Sequence, residues 1–364
     1  MMTIPPGSTI GILGGGQLGR MLAMAAARLG LRSHIYAPEA DSPAFDVAAA
    51  HTIAAFEDEA RLGAFAAAVD VATYEFENIP VETVRFLSRH IPVRPGAKAL
   101  ACAHDRINEK TLARELGART AEFAQVDSLN DLGTLLDGGF PVPAVLKTRR
   151  FGYDGKGQAK ILKPADATSA WAAMRNQPSI IENFVTFRAE VSTIAARASD
   201  GSFAAFDITE NEHRNHILHR SIAPAHLTTG VAEKAVAIAL KIAERLDYVG
   251  IFAIEFFVVP ENGRDTLLVN EVAPRVHNSG HWTMDGAETS QFEQHIRAVA
   301  GWPLGSTRLK AAGAEMVNLI GDDILAWPQI VAEPGAFFHH YGKREARPGR
   351  KMGHVNRLLS QVRG

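Results

Sequence analysis

The chain has 364 residues, with 38 Lys plus Arg against 40 Asp plus Glu, so its formal net charge is −2 at neutral pH. At about 150 residues per domain, this length predicts two or three domains with real cores. With 46% hydrophobic and 21% charged residues, the composition is that of a soluble globular protein, and it excludes bulk electrostatic attraction to nucleic acid or anionic membranes as the main activity.

The single cysteine, Cys102, has no partner for an internal disulfide, which favours a reducing, cytoplasmic location. The N-terminal stretch lacks the positive start and long apolar run of a signal peptide, and no segment approaches the roughly 18 apolar residues that a spanning helix needs. We therefore expect a soluble protein with neither a membrane nor a nucleic acid among its partners.

Residues 8–95 alternate short apolar strands with amphipathic helices. The strand segments TIGIL, SHIYA and VATYEF are rich in β-branched and aromatic residues, whereas the Ala- and Leu-rich segments between them have helical spacing. Strands and helices that alternate at this interval predict a parallel sheet covered by helices. The sequence thus predicts an α/β domain over residues 1–103.

From residue 104 the pattern becomes mixed α+β. A helix is predicted at DRINEKTLARELG, then strands at VPAVLK, SIIENFV and AEVSTIAAR, a long helix at 231–246, and strands at GIFAIEFFVV and TLLVNEV. After about residue 310, long helices are lacking and a basic cluster begins. We expect a second domain over 104–300 and a small β-rich C-terminal domain over 301–364.

A glycine-rich turn joins the first predicted strand to the first helix. Gly14, Gly16 and Gly19 satisfy GxGxxG, whose glycines let backbone N–H groups and a helix N-terminus approach a phosphate. For a dinucleotide, Glu39 is a poorly placed ribose-binding carboxylate. The motif favours phosphate binding without specifying the ligand, and a tight turn with no ligand is the alternative.

A second glycine-rich segment follows the strand that ends near Lys147. Gly152, Gly155 and Gly157 fall within six residues, which is typical of a flap whose amides fold over a polyphosphate, with Lys147 as a point charge. The Walker pattern GxxxxGK[ST] is absent from the sequence. A solvated hairpin tip is the alternative, and the surrounding cationic residues disfavour it.

Glu255 and Glu271 each lie within an otherwise apolar strand, with the turn residues Asn262 and Gly263 between the strands. A hairpin centred on Gly263 places Glu255 opposite Glu271, whereas a two-residue turn places Asn270 opposite Glu255. Facing carboxylates lie about 5 Å apart and repel unless they are neutralised. A hard divalent cation does that, and oxygen ligands from Glu255, Glu271 and Asn270 suit Mg²⁺. The alternative is an edge carboxylate facing water, but both strands are too apolar for an exposed edge.

Three histidines, His213, His216 and His219, are spaced by three residues. On a helix they would share one face, as zinc ligands do, whereas a strand would divide them between two faces. No cysteine lies nearby, so the sequence argues against zinc. We expect one or two of them to contact a ligand.

A basic cluster occupies residues 341–357. Glu345 is the only acidic residue among six basic ones, which are Lys343, Arg344, Arg347, Arg350, Lys351 and Arg357. A solvated basic tail is the usual interpretation of such a cluster. The glycines at 342, 349 and 353 instead favour an ordered loop that clamps a phosphate ester, so both interpretations stay open.

Together, the glycine turn, the flap after Lys147, an acidic hinge strand and the Glu255–Glu271 pair resemble the ATP-grasp superfamily of carboxylate–amine ligases. The segments GILGGGQLGRML, TYEFENIP, GYDGKGQ, NEHRNHIL, VNEVAPRVHNSGHWT and YGK…GRKMGH are similar to those of the N5-carboxyaminoimidazole ribonucleotide synthetase family. They run from residue 11 to residue 354 in the family's order. The resemblance implies a Rossmann-like pre-ATP-grasp domain over 1–103, an ATP-grasp domain over 104–300 and a β-rich domain over 301–364.

The resemblance also implies a reaction in purine biosynthesis. 5-Aminoimidazole ribonucleotide, bicarbonate and ATP would give N5-carboxyaminoimidazole ribonucleotide, ADP and phosphate by way of carboxyphosphate. The implied cofactors are ATP and Mg²⁺, without biotin, and the expected assembly is a homodimer.

Residue by residue, the resemblance assigns an ATP site. The residues expected at the ATP phosphates are Arg106, Lys147, Gly152, Tyr153, Asp154, Gly155, Lys156, Gly157 and Gln158. Those expected at adenine and ribose are Glu182, Asn183, Phe184, Val185, Glu190 and His213. The metal is expected on Glu255 and Glu271, with Asn270 beside them.

The remaining assignments concern the other two substrates. The residues expected at the ribonucleotide phosphate are Gly16, Gln17, Leu18, Lys343 and Arg350. Glu75, Tyr153 and Asp154 are expected to orient the aminoimidazole. The residues expected to line the bicarbonate and carboxyphosphate site are Arg275, His277, Asn278 and Ser279.

Two other classes of enzyme are alternatives to this predicted function. Another ATP-grasp ligase, such as a formate-dependent glycinamide ribonucleotide transformylase or a biotin carboxylase, would share the nucleotide site, and bicarbonate dependence without biotin separates it. An NAD-dependent oxidoreductase would use the first glycine motif but would leave the carboxylate pair and the flap unexplained.

Overall fold

The computed structural model describes residues 2–150 and 157–361. Its first part consists of β1 (Thr9–Leu13), α1 (Gln17–Arg28), β2 (Arg32–Ala37), β3 (Ala50–Ile53), α2 (Glu59–Ala66), β4 (Val71–Tyr74), α3 (Val81–Ser88) and α4 (Ala97–Ala103). The strands pair in the order β3–β2–β1–β4, and every pairing is parallel. The predicted parallel sheet is therefore confirmed.

The apolar face of α1 joins this sheet to the rest of the molecule. Leu18, Met21, Leu22 and Ala25 are buried at helical spacing, and they belong to one core with apolar residues of the later chain such as Phe292. A fully buried large apolar side chain contributes about 1.5–3 kcal/mol. The packing of α1 therefore holds the glycine turn firmly against the later domains.

The next part folds as a small antiparallel sheet flanked by helices. Its elements are α5 (Arg106–Glu115), β5 (Phe123–Val126), α6 (Leu129–Asp137), β6 (Ala144–Thr148), β7 (Gln158–Ile161), α7 (Ala167–Ala173) and β8 (Ser179–Asn183). The strands pair in the order β5–β8–β6–β7. Asp105 caps α5 by accepting a hydrogen bond from the Ile107 amide, and its carboxylate also binds the Arg149 guanidinium at 2.6 and 3.0 Å. This contact ties the start of α5 to the end of β6.

The third part is a large antiparallel sheet with helices packed on it. Its elements are β9 (Ala189–Arg197), β10 (Phe203–Ala205), β11 (Thr209–Arg214), β12 (Ile217–Ala223), α8 (Val231–Arg245), β13 (Gly250–Glu261), β14 (Arg264–Ala273), α9 (Thr283–Gly286), α10 (Gln291–Ala300), β15 (Gly313–Ile320), α11 (Trp327–Ala332), β16 (Ala336–His340) and β17 (Lys351–Leu359). The strand order is β14–β13–β9–β11–β12–β15–β17–β16, with β10 on β9.

The C-terminal strands continue this sheet, because β15 pairs with β12. The β-rich C-terminal region agrees with the sequence analysis, whereas the exact divisions at residues 103/104 and 300/301 stay predictions. Within the described residues, no helix is both long and apolar enough to cross a membrane.

Candidate functional site

A cavity of about 720 Å³ opens where the carboxyl edge of the parallel sheet meets the β13–β14 hairpin and the loop before β17. Most of the residues predicted at the site line it. These are Gly16, Gln17, Leu18, Glu75, Arg106, Lys147, Gly157, Gln158, Glu190, His213, Glu255, Asn270, Glu271, Arg275, His277, Asn278, Lys343 and Arg350. Five predicted residues, Gly152, Tyr153, Asp154, Gly155 and Lys156, lie outside the described residues. Among the described residues, those predicted at the site that do not line the cavity are Glu182, Asn183, Phe184, Val185 and Ser279.

The two strand carboxylates face each other across the β13–β14 hairpin. The turn is the two-residue Asn262–Gly263 type, flanked by the Glu261–Arg264 pair, which alone would set Asn270 opposite Glu255. A β-bulge next to Glu255 inserts Asn270 as an extra residue, so that Glu255 pairs with Glu271. The two register hypotheses were each half right, because the turn length follows one and the carboxylate pairing follows the other.

This arrangement suits a divalent cation. Burial, and then the charge of Glu271, raise the pKa of Glu255 to about 7. The buried Asn270 side-chain oxygen has no hydrogen-bond partner among the described residues, although an unpaired buried oxygen is costly. Two repelling carboxylates and an unused amide oxygen fit the oxygen ligands that Mg²⁺ prefers. No cluster of three or more His, Cys, Asp or Glu that could hold a metal occurs in the described ranges.

Buried cations lie beside this pair. Arg106, in the first turn of α5, contacts Glu271 with an Nη1 to Oε2 distance of 3.2 Å. One turn later, the fully buried Lys110 lies 3.4 Å from Glu182, which also accepts a hydrogen bond from Lys147 at 2.9 Å. Burial would raise the pKa of Glu182, but Lys147 and Lys110 lower it to about 2. Glu182 therefore orients the two lysines instead of lining the cavity.

The predicted adenine hinge continues from the end of β8. The Asn183 side chain accepts a hydrogen bond from the Glu122 amide at 2.6 Å, and the Phe184 amide donates to the Pro143 carbonyl at 2.8 Å. The Phe184 ring is 44% exposed, which leaves an apolar surface beside the hinge. Roles of these residues at adenine stay predictions.

A carboxylate–imidazole pair joins β9 and β11 of the large sheet. The His213 Nδ1 atom is 3.0 Å from Glu190 Oε2. Burial lowers the pKa of His213, but the hydrogen bond to Glu190 and the charges of Glu190 and Glu255 outweigh it, so the net shift is upward. His213 is on β11, His216 is in the following turn and His219 is on β12. The three histidines therefore share no helix face, but they lie on two strands and the turn between them and not on one strand. Of the three, His213 and His216 line the cavity.

At the opposite end of the cavity, the glycine turn packs against Glu75. The Gly16 amide donates to Glu75 Oε1 at 2.9 Å. A Cβ at Gly14, where φ is +101°, would lie 2.7 Å from the Glu75 side chain, so this close approach requires glycine. Burial raises the pKa of Glu75, although the Gly16 hydrogen bond opposes the shift. The first amide of the turn is thus already bonded to protein, and the helix start at Gln17 and Leu18 borders the cavity.

The basic cluster is an ordered loop, not a solvated tail. Lys343 Nζ donates to the Lys351 carbonyl at 2.8 Å, and Arg350 Nη1 donates to the Glu345 carbonyl at 2.8 Å. Arg344 contacts Asp41 of the first domain at 2.9 Å. The loop thereby lies beside the glycine turn, and Lys343, Arg350 and Lys351 all line the cavity.

Between the two ends lies the segment that follows β14. Arg275 binds Glu77 through Nε and Nη2, the latter at 2.9 Å. Burial would raise the pKa of Glu77, but Arg275 lowers it to about 2. Burial, followed by the charges of Arg275 and Lys351, lowers the pKa of His277 to about 3. Both side-chain polar atoms of buried Asn278 have no hydrogen-bond partner among the described residues, which fits a group reserved for a ligand.

Sequence reasoning missed three residues of this site. Glu77 lies two residues after Glu75, at the same sheet edge, and that spacing was its only signal. Lys110 lies four residues after Arg106, which places both on one helix face. Lys351 was counted in the basic cluster but received no role.

Three family descriptions match successive parts of the chain. They are "Ribonucleotide synthetase preATP-grasp domain" over residues 7–104, "ATP-grasp domain" over 111–292 and "Phosphoribosylaminoimidazole carboxylase C-terminal domain" over 314–363.

Full-length relatives agree with these matches. The chain is 50% identical over 358 residues to N5-carboxyaminoimidazole ribonucleotide synthase of Brucella melitensis, covering 98% of both chains. It is similar to the crystal structure of the corresponding synthetase from Thermus thermophilus, with a TM-score of 0.89 and 45% identity over 96% of this chain and 94% of that one. The Aspergillus clavatus synthase in complex with ADP and 5-aminoimidazole ribonucleotide matches with a TM-score of 0.90 and 27% identity over 98% and 95%.

Proposed function

The chain belongs to the N5-carboxyaminoimidazole ribonucleotide synthase family, and we propose that its central cavity carboxylates 5-aminoimidazole ribonucleotide with bicarbonate at the expense of ATP. The observation that carries the proposal is the position of the Glu255–Glu271 pair. On one side of the pair lie Lys147 and Arg106, and the glycine turn lies at the other end of the same cavity. A site with two anion-binding ends joined by a metal-binding middle suits the transfer of a phosphoryl group between two bound substrates.

The chemistry requires activation because bicarbonate is a poor electrophile. A bicarbonate oxygen attacks the γ-phosphorus of ATP, the bond from that phosphorus to ADP breaks, and carboxyphosphate forms. The substrate amine then attacks the carbon of carboxyphosphate and loses a proton. The bond from that carbon to the phosphate oxygen breaks, so phosphate leaves and the carbamate product remains. Phosphoryl transfer depends mostly on positioning and charge stabilisation, which cations held at the cavity wall supply.

The ATP end would comprise Arg106, Lys147 and the predicted flap, of which the structure describes Gly157 and Gln158. Lys147 is held in position by Glu182 at 2.9 Å, and Gly157 at the base of the flap has φ +70° and packs on Thr148. ATP phosphates would meet the Lys147 ammonium and the Arg106 guanidinium, with the adenine toward 182–185 and the ribose toward Glu190. These assignments rest on the family motifs together with the cavity lining.

Glu255, Glu271 and the Asn270 side-chain oxygen would hold Mg²⁺. When bound, the ion neutralises charge on the β- and γ-phosphates. The unpaired Asn270 oxygen and the mutual repulsion of the two carboxylates support this assignment. Arg106 holds the Glu271 carboxylate at 3.2 Å, so the ligand is oriented without the metal.

The ribonucleotide end comprises the glycine turn and the basic loop. The amides of Gln17 and Leu18 begin α1, and the helix start favours an anion. Lys343 and Arg350 of the ordered loop add two cations to this end of the cavity. Glu75, which the Gly16 amide holds at 2.9 Å, would accept a hydrogen bond from the aminoimidazole amine.

Bicarbonate would lie between the two ends, against Arg275, His277 and Asn278. Arg275 supplies a positive charge that Glu77 holds in place. Asn278 offers an unpaired donor and acceptor. Ser279 lies behind His277 and acts through it.

The proposal is tested by measuring ADP formation with each substrate omitted in turn. Rapid ADP release should require both the ribonucleotide and bicarbonate, and it should not require biotin. Formate replacing bicarbonate would favour the transformylase type, biotin dependence the carboxylase type, and a nicotinamide absorbance change an oxidoreductase. Light scattering tests the predicted homodimer.

A further inference from the structure

A chain of hydrogen bonds crosses the buried face of the large sheet and ends on His277. The Ser221 hydroxyl contacts Asn211 Oδ1 at 2.8 Å, and Asn211 Nδ2 contacts the Ser192 hydroxyl. Ser192 contacts Ser279 Oγ at 2.8 Å, and Ser279 Oγ contacts His277 Nδ1 at 2.8 Å. All of these contacts are within hydrogen-bonding distance, and those among Ser221, Asn211, Ser192 and Ser279 are buried.

The hydrogen-bonded side chains lie on the same face of the sheet as the carboxylate pair. Ser192 on β9 is the cross-strand partner of Glu255, and Asn211 on β11 is the partner of Ser221 on β12. Ser192 and Ser221 are fully buried, and Asn211 is 8% exposed. Burying polar groups in a sheet core is unfavourable unless each one is paired. Apolar side chains would fill this space at lower cost, which indicates that the three polar residues do more than pack.

One contact sets the preferred direction of this hydrogen-bond chain. The Ser279 backbone amide lies 3.4 Å from His277 Nδ1 and can only donate, so Nδ1 accepts. The Ser279 hydroxyl then donates to the same nitrogen and accepts from Ser192. Ser192 accepts from the Asn211 amide nitrogen, whose oxygen accepts from Ser221. In the reversed chain, the Nδ1–H group and the Ser279 N–H group would face each other across 3.4 Å, so the wild-type direction is preferred.

We propose that Ser192, Asn211 and Ser221 are positioning residues that hold His277 in the tautomer with its proton on Nε2. That N–H points toward Glu255, with an Nε2 to Oε1 distance of 3.5 Å, and borders the cavity. His277 therefore offers a fixed donor to an anionic oxygen at the reacting centre. The catalytic role of His277 rests on the proposed function, whereas the assignment of its tautomer does not.

Asn211→Asp tests the direction. A carboxylate at this position only accepts, so Ser221 and Ser192 would both donate to it. Ser192 would then accept from Ser279, and His277 Nδ1 would have to donate to the Ser279 hydroxyl. The substitution thus moves the His277 proton from Nε2 to Nδ1 with almost no change in side-chain volume.

Ser192→Ala is the second variant, and it keeps the test decisive if a buried carboxylate prevents folding. It breaks the chain without reversing it, so the preference for the Nε2–H tautomer then rests on the Ser279 amide alone and weakens. Thr193→Val is the matched control. Thr193 is the next residue of β9, is equally buried, points to the other face, and has a hydroxyl without a partner among the described residues.

The measurement is the ¹⁵N spectrum of histidine-labelled protein at neutral pH without Mg²⁺ or substrates. The chain has 14 histidines, so the His277 signals are assigned by their loss in His277→Gln. We expect Nε2–H in the wild type and in Thr193→Val, a shift toward Nδ1–H in Asn211→Asp, and mixed tautomers in Ser192→Ala. An Nδ1–H wild type, or variants with unchanged spectra, would overturn the proposal.

Steady-state kinetics test whether the tautomer of His277 matters for catalysis. Displacing a residue that orients a functional side chain typically costs about 10- to 100-fold in activity, and we expect this loss in kcat of Asn211→Asp with KM for ATP little changed. A switched tautomer with unchanged kcat would overturn the positioning role. If the wild type shows no bicarbonate-dependent carboxylation, the proposed function fails while the spectra still decide the tautomer.

Discussion

Replacing Glu255 with glutamine should stabilise the metal-free protein at alkaline pH and at the same time abolish its activity. Burial, followed by the charge of Glu271, raises the pKa of Glu255 from 4.5 to about 7. A carboxyl group with a raised pKa contributes stability that is fully present below pH 4.5 and is lost as the pH rises through about 7. Glutamine has no such loss, because it stays neutral throughout.

The size of the effect follows from the pKa change. At about 1.4 kcal/mol per pH unit, the shift corresponds to at most about 3 to 4 kcal/mol of unfolding free energy. The side chain is only 20% exposed, so solvent screening is limited. The variant and wild type should unfold at similar temperatures at pH 5 and differ by several degrees at pH 8.5, with the variant more stable.

Thermal unfolding in EDTA at the two pH values, followed by Mg²⁺ addition, provides the assay. Mg²⁺ should stabilise the wild type by binding the folded state and should stabilise the variant much less. Glu233→Gln, an exposed carboxylate on α8, serves as the matched control and should change neither result. Activity of Glu255→Gln should fall about 10³-fold or more, as expected for the loss of a metal ligand.

Two results would refute this reasoning. One is a variant whose stability depends on pH as the wild type does, since the carboxylate would then not be destabilised by burial. The other is near wild-type turnover at saturating Mg²⁺, since Glu255 would then not be a metal ligand.

Three further predictions address the rest of the cavity. Lys147→Ala should raise KM for ATP in steady-state assays and should move acid unfolding to higher pH. The stability that comes from the depressed pKa of Glu182 is present above pH 4.5 and is lost as the pH falls through about 2, so unchanged KM and unfolding pH would contradict both roles of Lys147. Arg350→Ala should raise KM for the ribonucleotide about 30- to 150-fold, for a lost contact of about 2–3 kcal/mol, with little change for ATP, and equal effects on both substrates would place Arg350 elsewhere. Gly14→Ala should cost about 1–3 kcal/mol in denaturant unfolding, since its φ is +101° and its Cβ would meet Glu75 at 2.7 Å; an unaffected midpoint would contradict the packing.

The fold could be predicted where local pattern decides structure. The alternation over 8–95 predicted the parallel sheet, and Asn262–Gly263 predicted the β13–β14 turn, because positive φ at both positions favours these residues. The long helix expected at 231–246 corresponds to α8, Val231–Arg245. These features depend on neighbours in sequence.

The site could be predicted only in part, because much of it depends on contacts between distant segments. The bulge that restores the Glu255–Glu271 pairing has no local signal at Asn270, because it is a property of the pairing between two strands. Arg275 and Glu77 are separated by 198 residues along the chain. No spacing rule relates such pairs, so their roles emerge only from the folded structure.

The central claim is that bicarbonate is activated by phosphorylation in this cavity, and oxygen-isotope transfer tests it most directly. With ¹⁸O-labelled bicarbonate, the oxygen that attacks the γ-phosphorus stays with that phosphorus when the amine displaces phosphate from the carbon. The account predicts one ¹⁸O atom in each inorganic phosphate formed, as measured by mass spectrometry or ³¹P NMR. Phosphate without ¹⁸O, released together with carboxylated product, would contradict it.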